Sequence, residues 1–195
     1  MVQINPRLII GKWREGYALD LHTLSSVPIG HNEFGHMQFD TKRSEIGELL
    51  YRLKYSSDQT VVDEIAEAAD QFIRSRNMQP EVVVPVPPST VRRQQPVIIL
   101  ATAISSRLGI PVVDCVQRTR DVPQLKNVYD LDERLKLLDS LHAVDPAQVS
   151  GKRILLFDDL YRSGATMNAV TVALYELGKA ADVCALTITR TRSYR

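Results

Sequence analysis

Three short runs of branched apolar residues set the limits on how this chain can fold. They are Val82–Val86, Arg153–Phe157 and Val183–Ile188, with Ile110–Cys115 a weaker fourth. None shows the strict alternation of a half-solvated strand. Continuous runs of this length suit strands covered on both faces. Helical patterns lie between them. Ile46, Leu49, Leu50 and Leu53 recur at the spacing of one helix face, as do Val61, Ile65, Ala68, Ala69 and Phe72. Ser56, Ser57 and Asp58 break the first pattern and offer a cap to the second. A third helix is predicted over about 94–108, stopped by Gly109 and Pro111, and a last one over about 164–178. Strands alternating with helices predict an α/β fold with a mostly parallel central sheet flanked by helices.

Residues 1–40 read differently. Gly, His, Pro and aromatic residues separate short strand-like runs such as Leu8–Ile10 and Tyr17–Leu21. The expectation is a small antiparallel ribbon or irregular cap over 1–40, a hood on a core spanning 41–195. The segment 117–150 is charged and irregular, and reads as a loop followed by a short helix at Leu131–Leu138.

Charge excludes little and points nowhere: 24 basic against 23 acidic residues leave a net of +1. That gives no strong nucleic-acid signal, which would be a basic excess or stripe. Arg190, Arg192 and Arg195 make a locally basic tail, read as a solvated end. Cys115 and Cys184 stand far apart in apolar segments and read as reduced core residues. His22, His31, His36 and His142 are scattered, and no zinc set can be assembled from them. No signal-peptide pattern and no apolar run of membrane length is seen, so a soluble, cytoplasmic protein without a membrane partner is expected. Trp13 reads as a packing anchor; Tyr161 either stacks near a ligand or packs on the sheet.

The sharpest string is Ile154-Leu155-Leu156-Phe157-Asp158-Asp159-Leu160-Tyr161-Arg162-Ser163-Gly164-Ala165-Thr166. An apolar strand runs into two acids, and a turn of small and hydroxyl residues then opens a helix. Ligands of parallel sheets sit beyond the carboxyl ends of the strands. A helix N-terminus supplies unpaired amides and partial positive charge, which suit a phosphate. Gly164 and Ala165 allow close approach, and Ser163 and Thr166 add hydroxyl donors. The acids repel a phosphate, so they serve another part of the ligand. Two adjacent carboxylates match the vicinal hydroxyls of a ribose. A 5-phosphorylated ribose satisfies both halves.

The string resembles the PRPP-binding motif of type I phosphoribosyltransferases. The resemblance implies that Asp158 and Asp159 hold the ribose hydroxyls and that Arg162, Ser163, Gly164, Ala165 and Thr166 hold the 5-phosphate. Arg162 stands where that family often has Thr or Ser. Further pieces resemble the ComF family: Val83-Val84-Pro85-Val86-Pro87-Pro88-Ser89 with Arg92, the helix ending Arg107-Leu108-Gly109-Ile110-Pro111, Arg118-Thr119-Arg120-Asp121 with Gln124, Glu133-Arg134, and Ile46–Tyr55 ending Leu-Lys-Tyr. Together they cover roughly residues 40–190. Two departures stand out. ComF proteins commonly begin with a four-cysteine zinc module, which this chain lacks. The family's Arg-Gly-Phe-Asn-Gln string is here Arg92-Arg93-Gln94-Gln95-Pro96.

The resemblance further implies that Pro87, Pro88, Ser89, Arg92 and Arg93, with Thr90, lie where pyrophosphate binds. That loop often carries a cis peptide in the family, and the X-Pro bonds are where one costs least. Arg118 and Lys126 fall in the family's catalytic loop and, with Asp158 and Asp159, are the expected catalytic residues. Mg²⁺ is the implied cofactor, brought on PRPP, with Asp158 and Asp159 the candidates to reach it. The implied activity is displacement of pyrophosphate from PRPP by a nitrogenous base or amine. The rival expectation is a non-catalytic PRPP or nucleotide sensor, or an accessory of DNA uptake. A general nucleotide-binding α/β domain unrelated to PRPP is disfavoured, since it would require a glycine-rich loop after the first strand and no GxGxxG is present. The acceptor cannot be read, and a homodimer is common for the fold.

Overall fold

A computed structural model describes residues 2–88, 94–118 and 142–192. Its centre is a five-stranded sheet in the order β1-β2-β9-β8-β5. The strands are β1 (Arg7–Leu8), β2 (Glu15–Leu21), β5 (Val82–Pro85), β8 (Arg153–Tyr161) and β9 (Asp182–Arg190). β2, β9, β8 and β5 run parallel, and only the two-residue β1 is antiparallel, at the edge. This is the mostly parallel α/β sheet expected.

Two cores cover its faces. Leu155 and Phe157 of β8 pack in one, with α1 (Glu45–Tyr55), α2 (Val62–Ser75) and α3 (Pro96–Leu108). Ile154 and Leu156 point to the other, with Val170 and Leu174 of α5 (Ala165–Glu176). Successive strand side chains alternate between faces, so this division follows from the sequence period. The helix stripes behave as expected: Ile46, Leu49, Leu50 and Leu53 are all buried. Ser44 caps α1 by accepting the Gly47 amide at 3.1 Å. Asp58 accepts the Thr60 amide at 3.0 Å and caps the short 3₁₀ turn Gln59–Val61 that leads into α2. Gly109 ends α3 in the left-handed region, φ 71°, where glycine carries no Cβ penalty.

Three expectations change. The N-terminal segment splits in two: β3 (Thr23–His31) and β4 (Met37–Arg43) do form an antiparallel ribbon, but Glu15–Leu21 joins the main sheet beside β9. Its side chains are covered because β9 supplies the backbone partner and the cores supply the cover. Ile110–Cys115 is not a strand. Val112 makes a single parallel bridge to Val83, and Pro111 has no amide to extend the ladder. The chain instead pairs β6 (Val116–Arg118) with β7 (His142–Val144), ahead of the short α4 (Pro146–Val149). Finally, β8 does not stop at Phe157 but stays paired to β9 through Tyr161↔Arg190.

Leu131–Leu138 lies outside the described residues. Among the described residues no helix is long and apolar enough to cross a membrane. The cysteines are free and buried, as expected. Burial pushes both thiols up to about 11, which makes them poor nucleophiles.

Candidate functional site

β5 and β8 part company at Phe157. Their parallel register ends at Pro85↔Phe157, and Val86 N–H makes a last bond to Phe157 O at 2.8 Å. Beyond it β5 turns away through Pro87 and Pro88 while β8 runs on against β9. One side of β8 is therefore open from Asp158 onward, and a crevice forms there, at the carboxyl ends of the strands.

The crevice holds two adjoining cavities. The larger, about 460 Å³, is lined by Asp158, Asp159 and the turn Arg162–Thr166. The smaller, about 150 Å³, is lined by Pro87, Pro88, Gln95 and again Asp158, Asp159 and Thr166. Lys54 lines both.

Strand alternation separates the acids. Continuing the odd positions Leu155 and Phe157 puts Asp159 on the α1 side, and there it meets Lys54: Nζ lies 2.8 Å from Oδ1. Both side chains of this pair are only 12–13% exposed. Asp158 has no such partner among the described residues. Its Oδ1 accepts the Asp159 amide at 2.8 Å. Burial, then the neighbouring Asp159 charge, push its carboxyl up to about 7, against the pull of that amide and of Lys54. At neutral pH Asp158 is poised between its two protonation states while Asp159 is ion-paired.

Gly164 holds the cap position of α5 at φ 76° and brings no capping side chain. The first-turn amides of α5 are thus left at the wall of the larger cavity. Among the described residues Ala165 N–H makes only a long contact, to Ser163 Oγ at 3.4 Å. The turn is braced from behind. Asn168 donates its side-chain amide to Gly164 O at 2.9 Å and accepts the Lys12 N–H at 2.7 Å. Tyr161 lies between the turn and the N-terminal segment, edge-on to Trp13 with ring centroids 6.4 Å apart. Trp13 is buried, and its indole N–H donates to Ile9 O at 3.0 Å, so it is the packing anchor expected. Tyr161 packs against the core that Trp13 joins and also lines the larger cavity.

The structure thus brings together Asp158, Asp159, Arg162, Ser163, Gly164, Ala165, Thr166, Pro87 and Pro88 of the residues singled out by sequence. Arg118 is exposed on β6 and is not among the residues lining either cavity. Ser89, Thr90, Arg92, Arg93 and Lys126 lie outside the described residues. The Val86–Pro87 and Pro87–Pro88 bonds are trans, so the cis bond allowed for in this turn is not found at either. Lys54 is a residue that sequence reasoning misses: it sits in the Leu-Lys-Tyr string that resembles the ComF family, but nothing local assigns it a role. His22, just after β2, reads from the sequence only as one of the scattered histidines. It hydrogen-bonds Thr189 Oγ1 at 3.2 Å, and burial, Arg43 and Lys54 hold its pKa below the ordinary value.

Among the described residues no three His, Cys, Asp or Glu side chains gather as a metal site. The donor set is two carboxylates, one already paired with an ammonium. That fits a magnesium ion carried by ligand phosphates and touched by a carboxylate, and does not fit an all-protein cage.

Solved structures with this architecture include the glutamine PRPP amidotransferase of Bacillus subtilis complexed with ADP and GMP. It superposes with a TM-score of 0.53 at 20% identity, over 80% of this chain and 34% of that one. Adenine phosphoribosyltransferase of Saccharomyces cerevisiae, complexed with an imino-altritol bisphosphate and adenine, gives 0.50 at 12% identity, over 85% and 82%. The fold is that of the type I phosphoribosyltransferases. Within it the chain is ComF-like: it is 28% identical over 144 residues to the competence protein ComFC of Bacillus subtilis (strain 168), covering 73% of this chain. It spans 59% of that relative's length. No family model matches the chain.

Proposed function

We propose that this chain is a phosphoribosyltransferase that binds PRPP with Mg²⁺ and replaces its pyrophosphate with a nitrogenous base or amine. The observation that carries the reading is one cavity shared by two strand-end carboxylates and the uncapped first turn of α5. The first-turn amides and the Ser163 and Thr166 hydroxyls take the 5-phosphate. Asp158 and Asp159 accept from the ribose hydroxyls. Pyrophosphate lies toward Pro87 and Pro88 in the smaller cavity, and Ser89, Arg92 and Arg93 follow them in sequence. Magnesium, when bound with PRPP, neutralises pyrophosphate charge.

No side chain is needed as a covalent nucleophile. C1 of the ribose gains cationic character as pyrophosphate leaves, and the acceptor nitrogen replaces it from the opposite side. The protein's work is alignment and preorganised charge. The β3–β4 ribbon would act as the hood over the acceptor, and two copies would form a homodimer. The action takes place in the cytoplasm.

The test is pyrophosphate release from PRPP and Mg²⁺ with a panel of bases. A second arm is the double variant Asp158→Asn, Asp159→Asn, which should lose PRPP binding by calorimetry while keeping its circular dichroism spectrum. Unchanged affinity in that variant rejects the site. The similarity to a competence protein favours a second reading, in which the same pocket senses PRPP or a nucleotide and serves DNA uptake without turnover. Tight PRPP binding with no release for any base selects it.

A further inference from the structure

Lys54 is poorly explained by the helix that carries it. α1 already buries Ile46, Leu49, Leu50 and Leu53 against the sheet, and a lysine on its flank normally extends to water. Here the side chain is 12% exposed and its ammonium stands 2.8 Å from Asp159 Oδ1, across 105 residues of sequence. Lys54 lines both cavities, as do Asp158, Asp159 and Thr166. It therefore stands where the two halves of the crevice meet.

The geometry points to Lys54 as a positioning residue that aims Asp159 at the ligand's sugar hydroxyl. The inference rests on the PRPP reading and deepens it. By holding Oδ1, the ammonium fixes the carboxylate's rotation. Oδ2 has no hydrogen-bond partner among the described residues, and it becomes the acceptor. The ammonium also offsets the repulsion between the Asp159 carboxylate and the neighbouring Asp158. A neutral side chain of similar length fills the space and does neither. Arginine supplies the charge and can keep the contact with a carboxylate. A plain strut tying α1 to β8 would contribute to stability and leave affinity alone.

A double-mutant cycle separates these cases. PRPP with Mg²⁺ is titrated calorimetrically into wild type, Lys54→Met, Asp159→Asn and the double variant, with Lys54→Arg as rescue and Lys54→Gln as the substitute should Lys54→Met fail to fold. Melting temperatures are recorded for each. Lys54→Met is expected to weaken PRPP binding at least tenfold and Lys54→Arg to recover most of the loss. In the Asp159→Asn background, Lys54→Met should change affinity less than twofold, because its target is already gone. A lower melting temperature with wild-type affinity makes Lys54 a strut and overturns the inference. Losses that multiply in the double variant mean Lys54 acts independently of Asp159, and also overturn it. In both outcomes wild type still binds PRPP, so the functional reading survives. Wild type that fails to bind PRPP rejects that reading and this inference with it.

Discussion

The ring of Tyr161 occupies the space that a side chain on Gly164 would need. A Cβ built on Gly164 would lie 2.6 Å from the Tyr161 hydroxyl oxygen and 2.7 Å from a ring carbon. The glycine is therefore required on the protein side of the turn, where the close approach is to an aromatic ring. The sequence had suggested approach of the anion as the reason for a glycine here.

Gly164→Ala should accordingly act through the turn. The residue sits at φ 76°, which costs a β-carbon about 1 kcal/mol, and Tyr161 must also move. The expected result is a lower melting temperature and weaker ribose 5-phosphate binding together. Restored affinity in Gly164→Ala, Tyr161→Ala, which removes the hydroxyl and the ring carbons at 2.6–2.9 Å, would show that the ring is the obstacle.

Asn168→Ala removes two contacts that hold the turn to the N-terminal segment. Each is worth about 0.5–1.5 kcal/mol net. A loss of about 1–2 kcal/mol in chemical denaturation is expected, with a several-fold rise in the Kd for ribose 5-phosphate. An unchanged Kd would mean the turn keeps its shape without the brace.

Trp13→Ala opens a cavity behind Tyr161. Removing a buried large aromatic costs about 3–5 kcal/mol. Trp13 is 5% exposed and packs in the core that includes Met167 of α5. Denaturant midpoints should drop accordingly, and a cost below about 1 kcal/mol would show that Trp13 is not an anchor.

The pH dependence of stability has a defined sign. Asp158 titrates near 7 in the folded chain against an ordinary value of 3.8. The folded state then holds this proton more tightly than the unfolded state. Its contribution is fully present below about 4 and is lost as pH rises through 7. Without ligand, the melting temperature of wild type should fall more between pH 5 and pH 8 than that of Asp158→Asn. Parallel curves would show that Asp158 is not perturbed.

Much of this was readable from residue order. The stripe of Ile46, Leu49, Leu50 and Leu53 announced α1 because local periodicity alone decides it. The acids and the Ser163–Thr166 turn were legible because their types are ordered along one short stretch. Partnerships across long separations were not. Tyr17–Leu21 read as strand-like, but nothing in it names β9 as its neighbour. Asp158–Tyr161 looked like loop because acids follow an apolar run, and β9 keeps them paired. Lys54 looks like an ordinary surface charge until the fold sets it 2.8 Å from Asp159.

The position of β9 between β2 and β8 has a consequence for synthesis. β2 emerges early, yet its parallel partner is made last: Glu15 pairs with Cys184, 169 residues further on. β8, which carries the acids, waits for the same strand. At roughly 5–20 residues per second, translation keeps β2 without its mate for many seconds. Such a delay exposes an unpaired apolar edge to other nascent chains. Closure of the sheet thus waits until β9 has been made, and a chaperone that shields Tyr17–Leu21 during elongation should raise the yield of folded protein.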